Sequence, residues 1–238
     1  MKYMGSKRRV AKYIAPIIQA HIDSGQYKTY IEPFVGGANM IEHIECENRH
    51  GSDIHPNLIA LLVKLQDGWC PPESISNEKY NHVRKNPDMY LPSFSGFVGF
   101  CCSYSGKWWG GYARGNDNNG NPRNYCDEAR RNLLKQAPKI ESVEFRYHSY
   151  SNYAPENCVV YCDPPYAKTT KYKTFDFNHS KFWDWCEKYA RPEYNNTILV
   201  SEYFCPREHK VLWEKEISSS LTQDTGSKKA TEKLFWVR

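Results

Sequence analysis

The run Asp163-Pro164-Pro165-Tyr166 follows an apolar stretch, Cys-Val-Val-Tyr-Cys from 158 to 162. A strand that stops at a proline-stiffened turn needs no function to explain it. The residue types nevertheless suit one difficult reaction. The exocyclic amine of a nucleobase is a poor nucleophile, because its lone pair is delocalised into the ring. Two acceptors aimed at its two hydrogens favour the pyramidal amine and free that lone pair. The Asp163 carboxylate can be one acceptor and the Pro164 carbonyl the other. Pro164 and Pro165 fix the direction of that carbonyl, which is electrostatic preorganisation. Tyr166 offers a flat face to the base. A base in a duplex must leave its stack to reach such a pocket.

Two further stretches suit a nucleoside ligand. Ile31-Glu32-Pro33-Phe34-Val35-Gly36-Gly37-Ala38-Asn39 is a strand end running into a glycine turn. Glycine lets the backbone approach a ligand closely. Ser52-Asp53-Ile54-His55-Pro56 places an acid at the end of the next strand. Asp53 stands about 20 residues after Glu32, the spacing at which an acid accepts both ribose hydroxyls in dinucleotide sites. Asp53 is equally suited to cap the helix that follows it.

Together these stretches resemble the Dam-type DNA adenine methyltransferases, whose amine-methylating signature is Asp-Pro-Pro-Tyr. The chain departs from the family's Phe-x-Gly-x-Gly turn, since Ala38 stands where a second glycine is expected and Gly37 lies one place earlier. Lys2-Tyr3-Met4-Gly5-Ser6-Lys7 looks like the family's N-terminal block. The segment Ile217 to Phe235 also resembles the family, with Ser218-Ser219-Ser220 and Gly226-Ser227-Lys228-Lys229 suited to phosphate contacts. The region from Gly68 to Arg123 is much less alike.

The resemblance implies a site-specific transfer of a methyl group from S-adenosyl-L-methionine to N6 of an adenine flipped out of double-stranded DNA. It implies catalytic roles for Asp163, Pro164, Pro165 and Tyr166. The cofactor would be held by Tyr3, Lys7, Glu32, Pro33, Phe34, Gly36, Gly37, Asp53, Ile54 and Asp163. DNA contacts would fall to Lys107, Trp108, Trp109, Arg114, Arg123, Lys228 and Lys229, with packing inside the insert an equal alternative for the two tryptophans. No metal is expected. Methylation of adenine in RNA and an inactive nucleic-acid-binding protein on the same scaffold are the competing readings. Intact Asp163, Pro164, Pro165 and Tyr166 argue against the inactive one.

Composition agrees without deciding. The chain has 238 residues, 40% hydrophobic and 25% charged, with a formal net charge of +5. That is enough for one core with a small appended domain, and compatible with a polyanionic partner. The 9 cysteines lack Cys-x-x-Cys spacing, so reduced thiols are expected rather than a disulfide framework or a zinc site. No apolar run reaches the roughly 20 residues of a membrane span. A cytoplasmic monomer or weak dimer, in a bacterial cell or phage-infected host, is expected.

The elements that must position these residues read as α/β: a Rossmann-like doubly wound sheet of the class I S-adenosylmethionine-dependent methyltransferase type, with an inserted target-recognition subdomain. Helical periodicity covers Lys7 to Ile22, interrupted by Pro16. Short strands are expected at Lys28 to Ile31, His50 to Asp53, from Val143, at Cys158 to Cys162 and at Thr197 to Val200. Two closing antiparallel strands are expected at Lys210 to Ile217 and Lys233 to Val237. Helices are expected at Asn39 to Glu47, from Pro56 through Leu65, at Cys126 to Gln136 and at His179 to Tyr189. The catalytic domain then comprises 1–67 and 138–238. The insert, 68–137, reads as a subdomain carrying a loop or hairpin, with a turn at Gly115 to Gly120.

Overall fold

Strand β4, Cys158–Cys162, is buried at every residue, as a continuous apolar run with a neighbour on both edges should be. It pairs in parallel with β1, Thr29–Glu32, on one side and with β5, Thr197–Glu202, on the other. A computed structural model describes residues 1–24, 27–166, 177–219 and 228–238. With β2 (Asn48–Asp53), β3 (Val143–Tyr147), β6 (Lys210–Ser219) and β7 (Lys228–Val237), the strands run in the order β3-β2-β1-β4-β5-β7-β6. β7 is antiparallel to both β5 and β6, as the sequence suggested. The helices are α1 (Ala11–Asp23), α2 (Pro56–Gln66), α3 (Asn77–Lys85), α4 (Pro92–Gly96), α5 (Tyr125–Gln136) and α6 (His179–Tyr189). No described helix is long and apolar enough to cross a membrane.

The chain divides into two units. The first comprises Met1–Ala11, Val35–His43 and Gly51–His148; the second comprises Lys12–Phe34, Ile44–His50 and Ser149–Arg238.

In the second unit, alternate strand residues serve opposite faces. Cys158, Val160 and Cys162 of β4 join Ile198 and Val200 of β5 in one apolar cluster with Phe182, Trp183 and Cys186 of α6. On the other face, Tyr161 and Ser201 share a hydroxyl–hydroxyl bond of 2.8 Å. α1 buries Ile14, Ile18 and Ile22 at helical spacing. Pro16 stays inside α1, on its exposed side.

In the first unit, Leu58, Leu61 and Leu65 of α2 share a cluster with Tyr80 and Val83 of α3, Phe97, Val98 and Cys101, and Leu133 of α5. Residues from the 68–137 stretch thus form one core with α2. That stretch holds α3, α4 and α5, with antiparallel bridges between Ser103 and Tyr112 and between Asn116 and Pro122. α3 is capped by Ser76, whose Oγ accepts the Lys79 amide at 3.1 Å. α4 leads into a wider helical turn, Phe97–Cys101. The stretch Phe-Val-Gly-Phe-Cys is apolar at four of its five positions, so it has no period by which sequence could tell helix from strand. The turn at Gly115 to Gly120 is present, held by Asp117 Oδ1, which accepts the amides of Asn119 and Asn121 at 2.9 Å each.

The helix expected from Asn39 to Glu47 does not form; a single 3-10 turn, Ile41–His43, stands there. Its polar groups are engaged elsewhere. Asn39 Nδ2 donates to the Met1 carbonyl at 3.0 Å. Gln19 on α1 grips Glu45, donating to its carbonyl and accepting its amide at 2.9 Å each. Backbone groups held by side chains in this way are withdrawn from a helical ladder.

Candidate active site

The glycine turn lies in the first unit and is built around Asp53. Val35 donates its amide to the Ser52 carbonyl at 2.8 Å, and Gly36 donates to Asp53 Oδ2 at 3.2 Å. Asp53 Oδ1 accepts the His55 amide at 3.0 Å, just before α2. Asp53 thus ties the glycine turn to the start of α2, and each carboxylate oxygen keeps a lone pair. Burial pushes its pKa up to about 6, against the lowering effect of these backbone bonds. Ile54, beside it, exposes 42% of its surface, an apolar face next to the acid.

Gly36 has φ +49°, and a Cβ there would lie 2.9 Å from the Tyr3 ring. At Gly37 a Cβ would meet Asn39 Nδ2 at 2.6 Å and Tyr3 Cβ at 2.9 Å. Gly36 is thus required by Tyr3, which packs directly on the turn, and Gly37 by Asn39 and Tyr3 together. Ala38 has φ +55°, so the backbone holds the left-handed conformation of a glycine although the residue is alanine. Gln136 on α5 fastens the turn from outside. Its side-chain amide donates to the carbonyls of Gly37 at 3.0 Å and Ala38 at 2.9 Å. Lys7 is buried in a short 3-10 turn capped by Ser6.

The Asp-Pro-Pro-Tyr motif lies in the second unit, directly after β4. Parallel pairing of Ile31 with Val160 brings the ends of β1 and β4 side by side, so Glu32 and Asp163 terminate neighbouring strands. Glu32 is 2% exposed and accepts the Tyr30 hydroxyl at 2.6 Å. Burial pushes its carboxyl up to about 8; the Tyr30 bond opposes that rise, the Asp163 charge adds to it and Arg49 opposes it. Glu32 is thus a largely neutral acid beside Asp163 near pH 7. Pro33 is buried. Phe34, expected at the cofactor, packs against Tyr150, Phe177 and Phe182 with centroids 5.4, 5.8 and 5.6 Å away.

Pro164 is buried, while Asp163, Pro165 and Tyr166 are half-buried. The Tyr166 hydroxyl donates to Glu232 of β7, and its ring meets Tyr203 edge-on at 4.5 Å. Burial pushes the phenol well above its usual range, with Asp163 and Glu232 reinforcing that. Sequence reasoning missed Glu232 and Tyr203. The signal for Glu232 was its alternation with Leu234 in β7, which puts both on an inward face; both are buried. Tyr203 follows Glu202, the last residue of β5, where ligand-facing residues of parallel sheets collect.

Of the residues expected to meet nucleic acid, Lys107 and Arg114 are exposed. Trp108 and Trp109 are packed: Trp108 lies 4.7 Å from Phe100 and 4.3 Å from the His55 ring, and Trp109 lies 5.3 Å from Tyr80. Arg123 is held by both oxygens of Glu128 and lies 4.8 Å from the Tyr125 ring. Lys228 and Lys229 open β7, opposite Ser219 and Ser218 of β6. Ser220, Gly226 and Ser227 lie outside the described residues. Among the described residues no group of acids, histidines and cysteines could hold a metal ion.

The strand order, with its antiparallel β7, is a Rossmann-like class I S-adenosylmethionine-dependent methyltransferase fold. A family model for D12 class N6 adenine-specific DNA methyltransferases matches residues 3–97, which include the glycine turn and Asp53. No curated protein sequence matches the chain. Among solved structures it is similar to the rRNA methyltransferase aviRa from Streptomyces viridochromogenes, at 13% identity and TM-score 0.44, covering 99% of this chain and 86% of that one. It is also similar to the methylase HI0767 from Haemophilus influenzae, at 12% identity and TM-score 0.36, covering 96% of this chain and 89% of that one. Fold and family match support a methyltransferase that uses S-adenosylmethionine and acts on a nucleic acid.

Proposed function

We propose that this chain methylates N6 of an adenine that has been unstacked from a nucleic acid. The observation that carries the reading is Asp-Pro-Pro-Tyr at the carboxyl end of buried β4, beside the end of β1. S-adenosylmethionine supplies an electrophilic methyl group when bound. Asp53 accepts its ribose hydroxyls, Ile54 meets its adenine, and the turn at Gly36 and Gly37 lets the backbone approach it. A carboxyl that burial holds near pKa 6, with no cation donating to it among the described hydrogen bonds, fits neutral hydroxyl donors well. Asp163 accepts one N–H of the target amine, and the Pro164 carbonyl accepts the other. The lone pair so freed would take the methyl group of the bound cofactor, the S–CH3 bond breaking as the N–C bond forms and S-adenosylhomocysteine leaving, with the surplus amine proton passing to solvent. Tyr166 stacks on the base.

Duplex DNA is the finer reading, supported by the family match over residues 3–97 and by the Dam-type resemblance. Structured RNA is the second, because the amine contacts are indifferent to the sugar. The 68–137 stretch is assigned target recognition, with exposed Lys107 and Arg114 meeting phosphates or guanine edges. The experiment uses methyl-labelled cofactor with duplex DNA, structured RNA and no nucleic acid, followed by nuclease digestion and mass spectrometry. N6-methyladenine from DNA supports the full reading, and from RNA alone it supports the second. N4-methylcytosine overturns the choice of base. 5-Methylcytosine overturns the amine mechanism, since ring-carbon chemistry uses a cysteine nucleophile.

A further inference from the structure

Amine attack requires the base to be held flat at a fixed height against Asp163. The residue given that task is Tyr166, and a tyrosine ring on a loop can turn about two side-chain bonds unless something restrains it. Two groups do so here. The hydroxyl donates to Glu232, 66 positions further along the chain, and the ring meets Tyr203 edge-on at 4.5 Å. Glu232 is 2% exposed and lies on the inward face of β7, a strand held by five register pairs to β5, from Ile198↔Val237 to Glu202↔Lys233. β5 in turn pairs in parallel with β4, the strand that carries Asp163 at its end. The sheet therefore fixes Glu232 relative to Asp163, and Glu232 fixes the far end of the Tyr166 ring.

A buried carboxyl group needs a reason to be there. The Tyr166 hydroxyl gives Glu232 a donor. Its phenol, pushed well above its usual range, stays neutral and keeps donating throughout the working pH range. Hydrogen bonds to charged or buried acceptors are the stronger kind, and ring orientation is set by them at both ends.

We infer that Glu232 is a positioning residue for the amine-methylation reaction, which holds the Tyr166 ring in the plane that receives the target base. This rests on the reading above. Glu232 touches neither base nor cofactor in this account, and acts only through Tyr166.

The test compares Glu232→Gln, Glu232→Ala, Tyr166→Phe and the double variant Glu232→Ala/Tyr166→Phe. A Gln side chain keeps an acceptor for the hydroxyl, so Glu232→Gln should retain kcat within about threefold. Glu232→Ala and Tyr166→Phe should each lower kcat by about 10- to 100-fold with the KM for cofactor unchanged, and the double variant should lose no more than either. An additive double variant, or a Tyr166→Phe with wild-type kcat, would overturn the inference. Tyr166→Phe removes one oxygen only, so it decides the matter even if Glu232→Ala fails to fold. A second readout is independent of turnover. The Tyr166 hydroxyl proton should give a slowly exchanging downfield NMR resonance, absent in Tyr166→Phe, lost in Glu232→Ala and kept in Glu232→Gln. A resonance unmoved in Glu232→Ala would refute the link. If the wild-type protein methylates no nucleic acid, the amine reading fails while this resonance still decides whether Glu232 holds Tyr166.

Discussion

The Gly36 amide donates to the Asp53 carboxylate at 3.2 Å, so the residue expected to bind the ribose also holds the loop that approaches the cofactor. The same carboxylate takes the His55 amide at 3.0 Å. One side chain thus couples the shape of the turn to the start of α2. Loss of Asp53 should disturb both, and its protonation should register in binding.

Asp53 titrates near pH 6 in the free protein because it is buried. Ligand hydroxyls donate to the carboxylate and favour the ionised form, so binding lowers this pKa and releases a proton below pH 6. Cofactor affinity should fall by about tenfold between pH 7.5 and pH 5. Calorimetry across that range tests this. Asp53→Asn should bind more weakly at pH 7.5 and show a flatter pH dependence; a variant as steep as wild type would remove Asp53 from the effect.

Glu32 makes an opposite kind of prediction, about stability. Burial pushes its folded pKa up to about 8, against an ordinary value of 4.5. The folded protein therefore holds a proton that the unfolded chain has lost. Its contribution is fully present below about pH 4.5 and fades as pH rises to about 8. Glu32→Gln keeps an acceptor for Tyr30 and cannot ionise. It should be more stable than the cofactor-free wild type at pH 8, with a higher melting temperature, by a few kcal/mol at most, about 1.4 per pKa unit. The gap should close near pH 4.5. A variant less stable than wild type at pH 8 would show that the charged form is favoured.

Gly37→Ala should weaken cofactor binding by about tenfold or more, since the new Cβ would lie 2.9 Å from Tyr3 Cβ and 2.6 Å from Asn39 Nδ2. Tyr3→Gly removes that Cβ and opens the first of these contacts. Titration calorimetry on Gly37→Ala/Tyr3→Gly should therefore show less than the sum of the two single losses. Simple additivity would mean that Gly37 serves something other than Tyr3.

In the 68–137 stretch, charge and packing can be separated. Lys107→Glu and Arg114→Glu replace exposed residues, and should weaken nucleic-acid binding and lower its salt dependence with little change in melting temperature. Trp108→Ala removes a ring packed on Phe100 and His55, and should cost about 3 kcal/mol of stability. Binding by electrophoretic shift and thermal unfolding together read both. Full binding by the two charge reversals would remove this surface from recognition.

Much of the framework was legible because the residues repeat it at every level. Cys158–Cys162 is all apolar and is a fully buried central strand; His179–Tyr189 has a helical stripe and is α6. The place of the motif, directly after β4, was legible because the apolar run ends there. What sequence could not give was tertiary. The helix expected after the glycine turn is replaced by bonds to Gln19 and Met1, which are distant in the chain. Trp108 and Trp109 look the same in sequence whether they stack on bases or on Phe100 and Tyr80. Glu232 reads as one more charge in a basic strand until Tyr166 is seen against it. Cys158 and Cys162 lie just before the motif, but both are buried in the core. Burial pushes the Cys158 thiol up to about 12, which makes it inert.

Asp163 tests the account most directly. Asp163→Ala should leave the fold intact and cofactor binding within about tenfold of wild type, because Asp53 and the glycine turn remain. Transfer of labelled methyl groups should fall by at least about a thousandfold, the scale on which loss of a preorganised transition-state contact acts. The wild-type product, digested and weighed, should be N6-methyladenine. Turnover near the wild-type rate in Asp163→Ala, with the same product, would contradict the claim that this carboxylate prepares the amine.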